Sequence, residues 1–547
     1  MKVVVVGGVA GGMSAAARLR RLDSGAQIVV LERSGYVSYA NCGLPYYLGG
    51  VIEDEADLLL QTPASLRDRF RIDVRVNSAA VGIDRLKKTV SVVDLSTGQG
   101  YDEAYDVLIL SPGASPIVPR IPGGALARPL RTVEDVQRLA TELEASPRRA
   151  AVIGGGFIGV EVAENLVHRG VDVTVVEAAD QVLAPVDPEM AGVVADELRR
   201  RGVDLRLGDT VTEITATGVR LASGTFVEAD LTIAAIGMRP ETDLAIASGL
   251  DVGARGGVVV DEFQRTSDLS IYCVGDAAEK SDALDGSAVL VPLANLANRH
   301  GRVVADHIAG RAVRPRRAIG TVVVRVFGLT VAATGWNEKR LRAAGRDLVA
   351  IHTHPTSHAS YYPGGDAMSL KLLVDPSSGE ILGAQAVGGE GVDKRIDVVA
   401  TAMFAGLRAP ELADLELAYA PPFGSAKDPV NMLGYVAENV LTGLVQTVQW
   451  SEVAERRAAG AALIDVRTPD EFATGSLPGA LNIPVDDLRE RWREIDALDV
   501  VVYCEVGQRG HVAARLLSSL GFRASNLDGG YRTWSCSPAS VLQTTTI

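Results

Sequence analysis

Twice within its first 180 residues the chain runs through one pattern: an apolar strand, a glycine turn, a helix, and a second strand ending in an acid. The first copy is VVVVGGVAGGMSAAARLRRL, reaching IVVLER at Glu32, and the second is AAVIGGGFIGVEVAENLVHRG, reaching VTVVEA at Glu177. Periodicity makes each a βαβ unit, so the front of the chain is expected to hold two nucleotide-binding domains on parallel sheets. With 547 residues the chain also exceeds what one hydrophobic core can serve, and further domains are expected.

Glycine in such a turn lets the backbone approach a pyrophosphate at a helix N-terminus, where amides and the helix dipole favour negative charge. The second copy fits G-x-G-x-x-G fully with Gly154, Gly156 and Gly159, and Glu177 follows eighteen residues after the last glycine. In the first, Gly7 and Gly12 fit while Val9 takes the middle position, and Glu32 stands twenty residues beyond Gly12. One such turn alone is compatible with a tight strand–helix connection that binds nothing; two, each with its acid, predict dinucleotides. A carboxylate at Glu177 accepts hydrogen bonds from a ribose diol and repels a 2′-phosphate, and Ala178 and Ala179 offer no compensating cation. NADH is therefore expected over NADPH.

The net charge of −14 argues against wrapping nucleic acid or lying on an anionic membrane, although a local basic patch can still hold an anionic substrate. Cys42, Cys273, Cys504 and Cys536 are too few for a disulfide framework. No apolar stretch has membrane-spanning length, and MKVVVVGG lacks the features of a signal peptide, so a cytoplasmic, reducing setting is expected. Residues 320–445 open with alternating apolar residues (TVVVRVFGLTVAATG), turn more helical and read as an α+β domain. A compact α/β module of about 85 residues follows Leu441–Trp450, and the chain beyond Ser535 is expected to be mobile.

At this point the chain resembles the two-dinucleotide-domain flavoprotein disulfide reductases. LSPGASP (Leu110–Pro116), IYCVGDAAE (Ile271–Glu279) and AIGMRPET (Ala235–Thr242) carry that resemblance. YANCGLPYY (Tyr39–Tyr47), YYPGG (Tyr361–Gly365) and YAPPFGSAKDPVN (Tyr419–Asn431) narrow it to coenzyme A-disulfide reductases and their rhodanese-fused relatives, including NADH-dependent persulfide reductases. It implies two Rossmann-like domains, an α+β dimerisation domain and a C-terminal rhodanese-like α/β domain. Their expected bounds are 1–116 with 246–320 for FAD, 117–245 for NAD, 321–445 for dimerisation and 449–535 for the rhodanese-like part, with 536–547 as the tail. Such members are usually homodimers.

Carried over by position, the resemblance implies flavin contacts at Gly7, Gly8, Ala10, Gly11, Gly12, Glu32, Arg33, Asn41, Ala80, Ser111, Gly113, Asp276 and Ala294. NAD contacts are implied at Gly154, Gly156, Phe157, Ile158, Gly159, Glu177 and Gly237. For coenzyme A, as substrate or bound ligand, it points to Ser14, Arg18, Arg21, Ser38, Asn41, Asn298 and Lys427. Arg18 and Arg21 stand three residues apart on one face of the first helix, suited to phosphates or to plain solvation. A lysine of some relatives is replaced by Phe70, with Arg71 beside it.

After Cys42 the next cysteine is Cys273, so no second thiol stands nearby in sequence. A single cysteine cleaves a sulfur–sulfur bond by keeping one half as a mixed disulfide, which suits a thiol-cofactor disulfide or a persulfide that loses HS⁻. In Asn-Cys-Gly-Leu-Pro, ahead of a helical first turn, Cys42 is expected to have a lowered pKa. Cys273, inside an apolar strand, reads as packing. The resemblance implies that electrons pass from NADH through the flavin to the Cys42 mixed disulfide. It also implies that Tyr361 and Tyr419 reach the site from the partner subunit, where a phenol could protonate the leaving thiolate; packing of a dimer interface is their other reading.

In the C-terminal module, LIDVRTPDEFATGSLPGALNIP (Leu463–Pro484) and LDGGYRTW (Leu527–Trp534) resemble the opening and close of a rhodanese domain. Cys504 ends an apolar strand and enters the loop CEVGQRGH, whose amides, with Arg509, would stabilise a thiolate or persulfide. A cysteine, a glycine loop and an arginine also occur in protein phosphatases, which stays a local alternative. The reaction expected is NADH-dependent, FAD-dependent reduction of a persulfide, polysulfide or coenzyme A disulfide through Cys42, with Cys504 carrying sulfane sulfur. Alternatives are an NADH oxidase or peroxidase cycling Cys42 through a sulfenic acid, and a flavin-bound redox sensor.

Overall fold

The computed structural model describes residues 1–145 and 147–540, which divide into two compact units. The first comprises Met1–Asp180 and Gly202–Gly320, and the second Gln181–Arg201 and Thr321 onward.

Both sequence repeats form the parallel sheets they predict. In the first unit five parallel strands run in the order Ile271–Cys273, Val107–Leu110, Lys2–Val6, Gln27–Leu31 and Asp73–Arg75. A four-stranded parallel sheet has the order Asp204–Leu207, Asp172–Glu177, Arg149–Ile153 and Leu231–Ala234. Strands buried on both faces require continuous apolar runs, and VVVV of Val3–Val6 meets that need. The helix Ala10–Leu22 packs against Ala294–Ile308 where glycines meet: a Cβ on Gly301 would collide with the Gly11 carbonyl oxygen. Cys273 is fully buried, and burial pushes its thiol up to about 12, in keeping with packing.

In the second unit the alternating stretch becomes the hairpin Val322–Val326 and Leu329–Gly335, two strands of a five-stranded antiparallel sheet. Val392–Ala405 and Pro429–Leu441 supply apolar side chains to the core of this domain. The C-terminal module is a parallel sheet in the order Gln446–Val448, Arg523–Leu527, Asp499–Tyr503, Ala462–Asp465 and Leu481–Asn482. The mixed α/β expectation is met. The chain expected to be mobile from Cys536 instead packs through Ser540. Ser537 is buried with its hydroxyl donating to the Trp534 carbonyl, and only a glycine at 192 leaves room for the Cys536 carbonyl oxygen. The rest of that expected tail, 541–547, lies outside the described residues. Among the described residues no helix is long and apolar enough to cross a membrane.

One polar cluster crosses the core of the second unit. Lys371, fully buried in the middle of the strand Met368–Val374, lies 2.5 Å from Glu189, 2.6 Å from Glu338 and 3.0 Å from Asp187. His352 joins it, with Nε2 3.0 Å from Glu189 and Nδ1 2.6 Å from Asp528. Burial opposes the charged imidazole, but the charge and hydrogen bond of Asp528, together with Glu189, outweigh it and raise the His352 pKa to about 9.

Candidate active site

Cys42 sits in a 3₁₀ turn, Asn41–Gly43, directly before the short helix Leu44–Leu48 with Pro45 in its first turn. The amide of Ala40 donates to the Leu58 carbonyl at 2.8 Å and that of Gly43 to Ala40 at 2.9 Å, which fixes the turn. Cys42 is exposed to a cavity of about 610 Å³ and donates to Asn41 Oδ1 at 3.7 Å.

Six of the seven residues expected to meet coenzyme A line that cavity: Ser14, Arg18, Arg21, Ser38, Asn41 and Asn298. Lys427 belongs to the second unit and is exposed there. The Ser14 hydroxyl donates to Asn298 Oδ1 at 2.6 Å. The two arginines differ. Arg18 is engaged by Asp306, at 3.0 Å through Nε and 2.7 Å through Nη2, so it ties the two helices together. Arg21 makes no ion pair among the described residues. Phe70 lines the wall, whereas Arg71 is turned into a helix cap whose carbonyl accepts from Arg20. Sequence reading missed Arg302, another liner, although it follows Asn298 at helical i+4 spacing.

The expected acidification of Cys42 is not found. Burial raises its thiol pKa, Glu161 and Asp276 add to the rise as like charges, and Arg131 opposes it. A five-residue helix supplies little dipole to set against two carboxylates. Glu161 is itself pushed by burial to about 7, with the Tyr46 hydroxyl donating to it at 3.2 Å and opposing the rise. Arg131 donates to Asp276 at 2.9 Å. Glu161 stands two residues past Gly159 in the second glycine segment and Arg131 in no motif quoted above, and their electrostatic effect on Cys42 required the fold.

Both glycine turns fit a dinucleotide. Glu32 accepts the Gly8 amide at 2.7 Å and the Ser34 amide at 2.9 Å; Glu177 accepts those of Gly155 at 2.6 Å and Ala179 at 2.8 Å. Each carboxylate keeps lone pairs for a ribose diol. Gly7 and Gly154 have φ of 99° and 105°, and a Cβ on Gly12 or Gly159 would strike the carbonyl of Gly7 or Gly154, so these turns admit no larger residue. Asp276 follows Gly275 (φ 76°), Gly113 and Gly237 also have positive φ, and Ala10 and Ala294 line the Cys42 cavity. Arg33 lies 3.7 Å from Glu241, and Ala80 pairs with Val92 in an antiparallel sheet.

In the second unit the Tyr361 and Tyr419 hydroxyls are 2.8 Å apart and both rings are exposed. Their hydrogen bond raises the Tyr419 pKa.

Cys504 follows the strand Asp499–Tyr503 and is buried. Its carbonyl accepts from the Tyr531 amide at 2.8 Å, and Glu505 accepts from Arg532 at 2.9 Å. The close approach needs Gly530, where a Cβ would meet the Cys504 carbonyl and the Gly507 amide. Gly507 (φ 91°) caps the helix Gln508–Ser519, so that helix begins at the cysteine loop. Arg509 forms a two-pronged pair with Glu471, at 2.8 and 2.7 Å, and is held above its ordinary pKa by Glu471 and then by Cys504. It therefore serves a carboxylate as well as the sulfur. Glu471 was not foreseen; its visible signal was its place in the capping box of Thr468.

Residues 1–301 match the family described as pyridine nucleotide-disulphide oxidoreductase, 321–429 its dimerisation domain, and 449–536 a rhodanese-like domain. The coenzyme A disulfide reductase of Staphylococcus aureus (strain bovine RF122 / ET3-1) is 35% identical over 439 residues, 80% of this chain and 100% of that protein. The crystal structure of reduced Bacillus anthracis CoADR-RHD is 47% identical with a TM-score of 0.96, covering 98% of each chain. That of a NAD-dependent persulfide reductase from A. fulgidus is 37% identical with a TM-score of 0.92, covering 98% of this chain and 100% of the other. Together with two built dinucleotide turns and a lone thiol on a cavity, these likenesses place the chain in the pyridine nucleotide-disulphide oxidoreductases, as an enzyme homologous to coenzyme A disulfide and persulfide reductases with a rhodanese-like domain at its C-terminus.

Proposed function

We propose that the enzyme uses NADH to reduce a persulfide, polysulfide or coenzyme A disulfide through Cys42. The carrying observation is the cavity that gathers Cys42 with Ser14, Arg21, Asn41 and Asn298. Bound FAD and NAD(P)H, which the family implies, would supply the two electrons. Glu32 and Glu177 would hold the ribose diols, and Ala178 and Ala179 leave a 2′-phosphate without a cation.

Cys42 thiolate attacks the inner sulfur of a persulfide RSSH, forms Cys42–S–S–R and releases HS⁻. A disulfide releases the other thiolate instead. Two electrons and one proton then return Cys42 to thiolate and free RSH. Burial, Glu161 and Asp276 disfavour the resting thiolate, and Glu161, which burial pushes to about 7, repels it less once protonated. The resemblance supplies Tyr361 and Tyr419 from the partner subunit of a homodimer and points to Lys427 for coenzyme A; the exposed, paired phenols are open to a second chain. In the rhodanese-like domain Cys504 holds sulfane sulfur as a persulfide.

NADH oxidation, with sulfide measured alongside, should be tested on coenzyme A persulfide, glutathione persulfide, polysulfide and coenzyme A disulfide. Cys42→Ser should abolish sulfide release while flavin stays bound. Full turnover in that variant, or oxygen consumption faster than persulfide reduction, would overturn the reading, the latter in favour of an oxidase.

A further inference from the structure

The Cys504 cradle carries three arginines and three carboxylates, and they pair off. Arg467, 1% exposed, is locked on Asp465 by bonds of 3.0 and 2.7 Å, also donates to the Gly475 carbonyl at 2.6 Å and lies 3.2 Å from Glu505. Glu505, inside the cysteine loop itself, is also 3.6 Å from Arg532. Arg509 is satisfied on both prongs by Glu471. No cation of this set is left without a carboxylate partner.

A sulfur donor must survive that charge balance. Thiosulfate brings two negative charges and its acceptor step expels sulfite, also a dianion; both need uncompensated cations around the reacting sulfur. A thiol persulfide brings at most one charge near its outer sulfur and expels a thiolate. Resting on the reading of Cys504 as a sulfur carrier, we infer that Glu471 and Glu505 are specificity-determining residues that tune the cradle to thiol persulfides and against thiosulfate. The step favoured is Cys504–S⁻ + RSSH → Cys504–S–SH + RS⁻. The outer sulfur of the donor passes to Cys504, its S–S bond breaks, a new one forms, and no outside oxidant or reductant is required. With thiosulfate the balance is Cys504–S⁻ + S₂O₃²⁻ + H⁺ → Cys504–S–SH + SO₃²⁻.

Full-length protein is offered glutathione persulfide or thiosulfate at equal concentration, and the Cys504 peptide is weighed over time for one added sulfur atom. The wild-type chain should load from the persulfide at least about tenfold faster. Glu471→Gln keeps a side chain able to complete the Thr468 capping box but frees Arg509. It should raise loading from thiosulfate by about tenfold relative to the persulfide. Glu505→Gln, which releases Arg532, should move the ratio in the same direction. Equal or faster wild-type loading from thiosulfate, or an unchanged ratio in both variants, overturns the specificity alone. Absence of sulfur on Cys504 from either donor overturns the carrier reading and the specificity with it.

Discussion

The Ser14 hydroxyl and Asn298 Oδ1 meet at 2.6 Å between two helices that glycines bring into contact, and both residues line the Cys42 cavity. The same helix contact therefore shapes the core and the wall of the Cys42 cavity. Gly301→Ala would push a methyl against the Gly11 carbonyl and Ser14 Cβ. It should destabilise the first unit by about 1–3 kcal/mol, seen as a lower melting temperature, and raise KM for coenzyme A disulfide.

Arg21 and Arg18 should part company in kinetics. Arg21 lines the cavity without an ion pair, so Arg21→Met should raise KM for coenzyme A persulfide by about tenfold, the loss of one charge-assisted contact. Its KM for inorganic polysulfide should not change. Arg18→Met breaks the pair with Asp306 and should lower thermal stability for every substrate alike.

The raised thiol pKa of Cys42 has a removable contributor. Glu161→Gln deletes one like charge and should shift the pH profile of Cys42 alkylation by iodoacetamide downward, giving roughly threefold faster reaction near pH 8. A profile that moves upward would show Glu161 acting as proton acceptor more than as a repelling charge.

His352 sets a pH window for the second unit. Its pKa is about 9 in the fold against 6.5 ordinarily, so its pairing stabilises fully below pH 6.5 and is lost as pH rises through 9. The difference corresponds to about 3 kcal/mol. Melting temperature of the second unit should fall between pH 6.5 and 9, and His352→Gln should start lower and lose most of that slope.

Sequence reading reached far into this protein because its strongest signals are local. A strand, a glycine turn and an acid are contiguous, and so are the motifs around Cys42 and Cys504. Six residues that line the Cys42 cavity were named before the fold brought Ser14 and Asn298, 284 positions apart, into one bond. What stayed hidden depends on distant partners. Charge patterns along the chain do not show that Arg18 is consumed by Asp306, that Glu161 repels the Cys42 thiolate, or that Glu471 occupies Arg509. The helix Pro188–Arg200 follows the second nucleotide repeat in sequence, yet it belongs to the second unit, where it delivers Glu189 to Lys371 and His352.

Asp528, which holds His352 from one side, comes from the rhodanese-like domain, while Glu189 holds it from the other. A chain trimmed before Trp450 would uncover the imidazole and strip it of one counter-charge, so a tidy excision of the sulfur module is not chemically silent.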